Sequence, residues 1–205
     1  MKKTLTTLAL VAVTAASFAQ GIVNFGNSST TLISANGTSI PGSATSTFYF
    51  AIFMAPSGTV TADFTTLPTA TAFTADWGSA LFTTVNHASA AGRLATTAAA
   101  AAIPGFAGGS TADFIIRGWS ANVGTTYASA LAAYNAGGQG GVFGTSRVGN
   151  NIVLSDGAGI PVTTVFGVGG NQVGGFNLVP VVPELSSMAL AGLGAASLLI
   201  FRRRK

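Results

Sequence analysis

Short alternating runs of apolar and polar residues, separated by turn residues, fill the chain between residues 21 and 180. The run 48–54 is apolar on both faces of an extended strand, which indicates a central strand covered on both sides. Further strand candidates are 22–26, 80–86, 113–120, 142–148, 151–155, 162–168 and 175–180. Turn signals between these runs are Asn36-Gly37, Pro41-Gly42, Ser57-Gly58 and Asp156-Gly157. The pattern predicts a mainly β domain, an antiparallel β-sandwich of the jelly-roll-like kind.

One short helix interrupts the predicted strands, at about 125–136. Thr125 or Thr126 can cap its N-terminus, and apolar side chains recur at helical spacing from 127 to 134. Gly137 follows the last of them and provides a stop signal. The sequence therefore predicts a single helix within the β domain.

The N-terminus has the layout of a secretory signal peptide. Two lysines precede an apolar run, 5–16, and the small residues Ser17 and Ala19 follow it. Small residues at positions −3 and −1 are those that signal peptidase accepts. We therefore expect residues 1–19 to be a signal peptide, cleaved between Ala19 and Gln20, with an apolar first helix of the domain as the alternative.

The C-terminus combines an uncharged apolar stretch, 185–201, with four cations, Arg202, Arg203, Arg204 and Lys205. The length of the stretch lies at the lower edge of the roughly 17–25 residues that span a bilayer. Terminal cations stay on the cytoplasmic side. The pattern predicts a transmembrane helix that anchors an exported precursor in the inner membrane, and a buried core helix is the alternative.

Val182, Pro183 and Glu184 stand directly before that stretch. The tail 181–205 resembles the PEP-CTERM sorting signal of exported bacterial proteins, in which a Val-Pro-Glu-Pro motif precedes a short apolar helix and an arginine cluster. Leu185 occupies the place of the second proline. The resemblance implies that an exosortase-type membrane protease removes the tail and passes the protein to the cell surface.

A second resemblance covers the stretch 112–179. It is similar to the body of a recurrent group of PEP-CTERM proteins, in which an Arg-x-Trp strand precedes a Gly-x-x-Tyr helix start and a glycine-rich loop. Arg117-Gly118-Trp119, Gly124-Thr125-Thr126-Tyr127 and the glycines of 137–141 stand in those places. This group brings no established activity to the chain.

Composition narrows the function classes. The chain has 48% hydrophobic and 7% charged residues, and such a composition argues against intrinsic disorder. It has no cysteine and one histidine, His87, so disulfides are excluded and zinc or iron–sulfur sites lack their usual ligands. We therefore expect no metal and no cofactor.

The excess of basic over acidic residues lies at the two ends of the chain. The formal net charge is +4, but the interval 20–183 contains three arginines and four aspartates. A nucleic-acid-binding domain needs a basic patch on its folded surface. The sequence therefore argues against a nucleic-acid partner.

Arg117 and Trp119 are the strongest candidate binding residues, because they share one face of a predicted strand. The structural interpretation stacks the guanidinium on a buried indole, a contact that contributes about 0.5–2 kcal/mol. The alternative is a sugar-binding pair, in which the indole offers a flat apolar face and the guanidinium donates hydrogen bonds.

The candidate catalytic residues are few. We expect His87 to be an exposed residue at a strand end, without the nucleophile and acid of a catalytic triad. Asp63, Asp76 and Asp113 each stand in a Thr-Ala-Asp-aromatic motif, and we expect them to cap turns. Carboxylates held about 5–10 Å apart would instead fit glycoside hydrolysis.

These observations predict three regions: a signal peptide, 1–19, a β domain, 20–180, and a sorting tail, 181–205. The predicted function is that of an exported, non-enzymatic protein of the cell surface or extracellular matrix, with signal peptidase and an exosortase as processing partners. One alternative is a carbohydrate-binding module that recognises extracellular polysaccharide through Arg117 and Trp119. A second alternative is a hydrolase that uses Asp113 or Asp76.

Overall fold

The computed structural model describes residues 20–58, 77, 80–95, 101–138 and 140–180. Over these residues the protein is mainly β, with one α-helix. The strands are β1 Gln20–Asn24, β2 Ser34–Ala35, β3 Thr38–Ser39, β4 Phe48–Pro56, β5 Phe82–Val85, β6 Ala101–Ala107, β7 Thr111–Ser120, β8 Val142–Thr145, β9 Gly149–Val153, β10 Thr163–Thr164 and β11 Asn177–Pro180. The helix α1 spans Tyr127–Asn135, and a 3₁₀ turn, Ala121–Val123, precedes it.

Two sheets contain the described strands. The large sheet has eight strands in the order β3-β2-β11-β8-β7-β4-β5, with β9 paired to the first half of β7, and it curls into a half-barrel. The small sheet has the order β10-β1-β6. Most pairings are antiparallel, but β1 pairs with β10 and β2 pairs with β11 in parallel. The predicted mainly β class with one helix is confirmed. The prediction of a purely antiparallel arrangement is wrong, because these two parallel pairings join distant segments of the chain.

Both faces of the large sheet are apolar, and each has its own core. Phe50 and Ile52 of β4 point to a first core, which the large sheet shares with Val23 and Ile103 of the small sheet. The alternate residues of β4 point to a second core, which extends to Ala130 of α1. Burial of each Phe or Ile side chain contributes about 1.5–3 kcal/mol. The prediction that 48–54 is a central strand covered on both sides is confirmed.

The helix has the ends that its sequence predicts. The Thr126 hydroxyl accepts a hydrogen bond from the backbone N–H of Ser129, and the Ser129 hydroxyl accepts one from the backbone N–H of Thr126, which makes a capping box. At the other end Gly137 has a φ of 91°, and the Gly138 N–H reaches the Ala133 carbonyl at 2.8 Å. This is the Schellman arrangement that ends helices at glycine.

A two-residue turn joins β2 to β3. Its central residues, Asn36 and Gly37, have φ values of 52° and 79°. Positive φ at both positions defines the type I′ turn, whose twist matches that of the flanking strands. The Asn-Gly turn signal is confirmed, although the two short strands beside it were not predicted.

β6 was also not predicted, because Pro104 stands in its middle. The strand pairs with β1, and the register shifts between the pairs Gln20–Ala107 and Gly21–Ile103. Pro104 and Gly105 lie within that irregularity, where a missing N–H costs no ladder hydrogen bond. A bulge therefore accommodates the proline.

The predicted signal peptide, 1–19, and the predicted sorting tail, 181–205, lie outside the described residues. β1 begins at Gln20 and β11 ends at Pro180. Among the residues that the structure describes, no helix is both long enough and apolar enough to cross a bilayer. The predicted transmembrane helix, 185–201, is not among them.

Candidate functional site

Arg117 and Trp119 lie on the same face of β7, beneath the start of α1, and each side chain is 1% exposed. β7 is an interior strand of the large sheet, since β4 pairs with residues 112–120 on one edge while β8 and β9 share the other. The expected burial of Trp119 is confirmed. A ligand in solvent therefore has no open indole face on which to stack.

The Arg117 guanidinium lies beside two aromatic rings that are in contact with each other. Its Cζ is 4.8 Å from the ring centre of Phe53 and 5.6 Å from that of Tyr127. Its Nη1 donates a hydrogen bond of 2.5 Å to the Tyr127 hydroxyl. The expected stacking partner was Trp119, so this expectation is corrected. Residues two apart on a strand stand side by side, and the long arginine reaches instead towards the neighbouring strand and the helix above it.

Trp119 is fixed by a separate set of contacts. Its Nε1 donates a hydrogen bond of 2.9 Å to the Gly124 carbonyl. Its ring stacks on Tyr49, with 6.4 Å between ring centres and 17° between planes, and lies 6.0 Å from the Tyr127 ring. All three tyrosines and both tryptophans of the chain belong to this second core. Aromatic residues with a polar atom are thus gathered on the helix-covered face of the sheet.

Burial shifts the pKa values of Arg117 and Tyr127. Desolvation lowers the pKa of Arg117 to about 10, against the opposing influence of Tyr127. Desolvation likewise raises the pKa of Tyr127 to about 12, although the nearby guanidinium acts in the opposite direction. At neutral pH the pair is therefore a charged donor and a protonated hydroxyl, a stable charge-assisted hydrogen bond.

The Arg-x-Trp and Gly-x-x-Tyr motifs form one clasp, which we define as Arg117, Trp119, Gly124 and Tyr127. Arg117 donates a hydrogen bond to Tyr127 in the first turn of α1, and Trp119 donates one to Gly124 in the segment that connects β7 to α1. Gly124 has a φ of 125°, and a Cβ there would lie 2.0 Å from the Ser129 hydroxyl. The glycine is therefore required by both its conformation and the neighbouring cap.

Asp113 lies on the same face of β7 and is 1% exposed. Its Oδ1 accepts hydrogen bonds from the Ser57 hydroxyl at 3.2 Å and the Asn151 N–H at 2.8 Å, and its Oδ2 accepts one from the Gly58 N–H at 3.0 Å. The carboxylate thus holds the turn after β4 against β9. The prediction that Asp113 caps a turn is confirmed, while Asp63 and Asp76 lie outside the described residues.

His87 lies two residues beyond β5, near a strand end as predicted, but its side chain is half-buried rather than exposed. Its Nδ1 accepts hydrogen bonds from the backbone N–H groups of Ser89 and Ala90, at 3.1 and 3.0 Å. Its own backbone pairs with the Arg93 carbonyl. The imidazole therefore caps the turn that follows the strand.

Arg147 has a role that the sequence did not reveal. Its Nε donates to the Gln172 carbonyl at 2.7 Å, and its Nη2 donates to the Gly169 carbonyl at 2.5 Å. These bonds fix the glycine-rich stretch 167–170 and the adjoining Gln172. A single arginine in a charge-poor stretch was the only signal, and it does not identify the carbonyls that the side chain reaches.

Two buried asparagines were also missed. Asn86 accepts hydrogen bonds at Oδ1 from the backbone N–H groups of Thr47 and Phe48, at 2.9 and 3.0 Å. Asn27 donates to the carbonyls of Thr31 and Gly92 and accepts from the Leu94 N–H at 2.9 Å. Both side chains replace missing backbone partners in irregular segments, as buried polar groups must.

No group of three or more histidine, cysteine or acidic side chains within the described residues could hold a metal ion. The candidate side chains instead make contacts to the backbone, to a hydroxyl or to aromatic rings. Comparisons of the chain with protein-family models, with curated proteins and with solved structures find no match.

Proposed function

We propose that the protein is exported, is sorted by its C-terminal tail and serves at the cell surface or in the extracellular matrix as a non-enzymatic β domain. The observation that carries this proposal is the three-part tail: Val182-Pro183-Glu184, the apolar stretch 185–201 and the cations of 202–205. The proposed processing partners are signal peptidase at Ala19–Gln20 and an exosortase-type protease at the tail.

The buried polar groups support a passive role. A general acid or base must come within hydrogen-bond reach of a substrate. Both carboxylate oxygens of Asp113 are engaged by the turn and the strand that it holds, and the side chain is 1% exposed. The proposal of a hydrolase centred on Asp113 is therefore weaker than that of a structural carboxylate.

The carbohydrate-binding alternative loses its proposed contact surface. Pyranose rings stack on an accessible aromatic face, and both Trp119 and Arg117 are 1% exposed. Extracellular polysaccharide remains in the proposal as the surrounding medium of the protein. Titration of the protein with that polysaccharide, followed by tryptophan fluorescence, tests the alternative, and we expect no saturable change.

We also propose that the two sheets form a variant of the predicted jelly-roll-like sandwich. The small sheet and one face of the large sheet contribute to a single core, as the two layers of a sandwich do. The curl of the large sheet distinguishes this arrangement from two flat layers.

Mass measurement of the native protein from each fraction of the producing cells tests the sorting proposal. We expect protein outside the inner membrane to begin at Gln20 and to lack the C-terminal tail. Retention of Met1 on protein in that fraction would contradict the export step. Replacement of the four terminal cations by glutamine should weaken retention of the precursor in the inner membrane.

Two substitutions at the motif sharpen the test. Leu185→Pro restores the usual motif and should raise the fraction of protein that has lost its tail. Glu184→Ala should lower that fraction. If neither change alters the processed fraction, residues 182–185 are not a protease recognition motif.

A further inference from the structure

The chain has one Asn-Gly pair, Asn36-Gly37, and it forms the exposed tip of the β2–β3 hairpin. The side-chain amide carbon of an asparagine can be attacked by the backbone nitrogen of the next residue. Glycine permits this attack best, because it has no Cβ to obstruct the approach. The tip of this hairpin is therefore the position of the chain where spontaneous backbone modification is chemically easiest.

The reaction needs only water. The Gly37 nitrogen forms a bond to Cγ of Asn36, the bond from Cγ to Nδ2 breaks, and ammonia leaves with the proton that the Gly37 nitrogen gives up. The resulting succinimide takes up one water molecule, and ring opening leaves aspartate or isoaspartate at position 36. No oxidant or reductant takes part.

The native structure engages the attacking nitrogen. The Gly37 N–H donates a hydrogen bond of 3.0 Å to Oδ1 of Asn177, which also accepts one of 2.9 Å from the Ser34 hydroxyl. Asn177 is at the start of β11, which pairs in parallel with β2. The Asn36 N–H is fixed in turn by the Leu178 carbonyl at 2.9 Å. The nitrogen must leave its acceptor and lose its proton before it can attack.

The same arrangement recurs at the one Asp-Gly pair of the chain, Asp156-Gly157. The Gly157 N–H donates a hydrogen bond of 3.0 Å to the Ser155 hydroxyl. Asp156 accepts bonds at Oδ1 from the N–H groups of Ala158, Gly159 and Ile160. In both pairs a side-chain oxygen thus engages the nitrogen that would attack.

We propose that Asn36 is a site of succinimide formation and that Asn177 is the positioning residue that suppresses it in the folded protein. Asn177 acts on the Gly37 nitrogen and takes no part in the reaction itself. Loss of the Asn177 oxygen should release the nitrogen, and modification of Asn36 should then convert the left-handed turn residue into one with an altered backbone.

The test is a time course of deamidation in the full chain, measured by peptide mass spectrometry and by an isoaspartate assay. Asn177→Ala should raise the rate at Asn36 at least about fivefold, the factor that corresponds to a hydrogen bond of about 1 kcal/mol. Asn177→Asp keeps the acceptor oxygen and should leave the rate near that of the wild type. Equal rates in the wild type and in Asn177→Ala would overturn the proposal.

Ser34→Ala is the matched control, because it removes the neighbouring bond to Asn177 but leaves the Gly37 nitrogen engaged. Its rate should stay at the wild-type value, and acceleration equal to that of Asn177→Ala would overturn the proposal in favour of simple hairpin opening. Asn36→Gly, which tolerates the positive φ, should abolish the modified hairpin peptide. If Asn177→Ala does not fold, wild-type protein in denaturing urea replaces it, and an unchanged rate there also overturns the proposal.

Discussion

Gly118 lies directly opposite Gly144 in the pairing of β7 with β8. The Leu178 side chain of β11 packs over both glycines, and the Phe50 ring packs over the first. A Cβ at position 118 would lie 2.7 Å from the Phe50 ring and 3.0 Å from Cδ2 of Leu178. The middle residue of Arg117-Gly118-Trp119 is therefore small because the first core closes over it, on the face opposite the clasp.

Gly118→Ala should destabilise the protein by about 1–3 kcal/mol, since overpacking forces the Phe50 and Leu178 side chains to move. Gly170→Ala is the matched control, because a Cβ there meets nothing within 4 Å. The control should shift stability by at most about 1 kcal/mol, in the stabilising direction. Urea denaturation of both variants measures the difference in stability. Equal midpoints would contradict the claim that the first core leaves no room for a Cβ at position 118.

Asp113→Asn tests the buried carboxylate. The asparagine amide keeps one acceptor oxygen, but its NH₂ group would then face another donor. That donor is either the N–H of Gly58 or the Ser57 hydroxyl and the Asn151 N–H. We expect a loss of about 1–3 kcal/mol, the cost of leaving a buried donor without an acceptor. Ser57→Ala removes only one of the three bonds and should cost about 0.5–1.5 kcal/mol. A smaller effect for Asp113→Asn than for Ser57→Ala would contradict this role.

Tyr127→Phe tests the clasp and carries a pH signature. At neutral pH the loss of the hydroxyl that accepts from Arg117 should cost about 1.5–3 kcal/mol. Tyr127 keeps its proton in the folded protein up to about pH 12, whereas the unfolded chain releases it near 10.0. Between these values the unfolded state binds fewer protons, so this contribution to stability is fully present below pH 10 and is lost as the pH rises through 12.

The expected result is that the stability difference between the wild type and Tyr127→Phe narrows from pH 10 to pH 12. Denaturation curves across that range measure the difference, and tyrosinate absorbance reports the titration of the buried hydroxyl directly. The other tyrosines titrate in both proteins and cancel. Arg117 does not cancel, because Tyr127 raises its pKa of about 10 and the variant removes that influence, which narrows the difference further. A constant difference across this range would show that Tyr127 ionises as it does in the unfolded chain.

The parts of the fold that follow from local chemistry were predictable. The continuous apolar run 48–54 predicts β4, the Thr126 cap and Gly137 stop predict α1, and Asn36-Gly37 predicts the hairpin turn. The sequence did not predict β6, because a proline in a strand is tolerated only where distant pairing supplies a bulge. Parallel pairings between segments far apart in sequence have no local signal either.

In the candidate site, too, features with a local sequence signal were predictable and contacts with distant residues were not. The shared face of Arg117 and Trp119 follows from the period of a strand, and burial of the indole follows from the apolar neighbours of β7. The partners of Arg117 could not be predicted from the strand period. Phe53 comes from a neighbouring strand, and Tyr127 comes from the helix that folds back over the sheet. The spacing between Arg-x-Trp and Gly-x-x-Tyr was the one signal that could have joined them.

Asp156 provides the last prediction, at the opposite end of the pH scale. Backbone hydrogen bonds, that from Ile160 first and those from Ala158 and Gly159 next, hold the pKa of this carboxyl below its ordinary value of 3.8. A lowered pKa means that the ionised form stabilises the fold above pH 3.8, and this contribution is lost as the pH falls through the folded-state pKa. Asp156→Asn keeps an acceptor oxygen but cannot titrate, so it isolates the charge. The melting temperature of the wild type minus that of the variant should therefore be constant near neutral pH and should fall as the pH drops below 3.8. The other carboxyl groups titrate in both proteins and cancel in the difference. A difference that does not change over this acid range would show that the three N–H groups do not favour the charged carboxylate, and the turn would then owe its shape to its glycines alone.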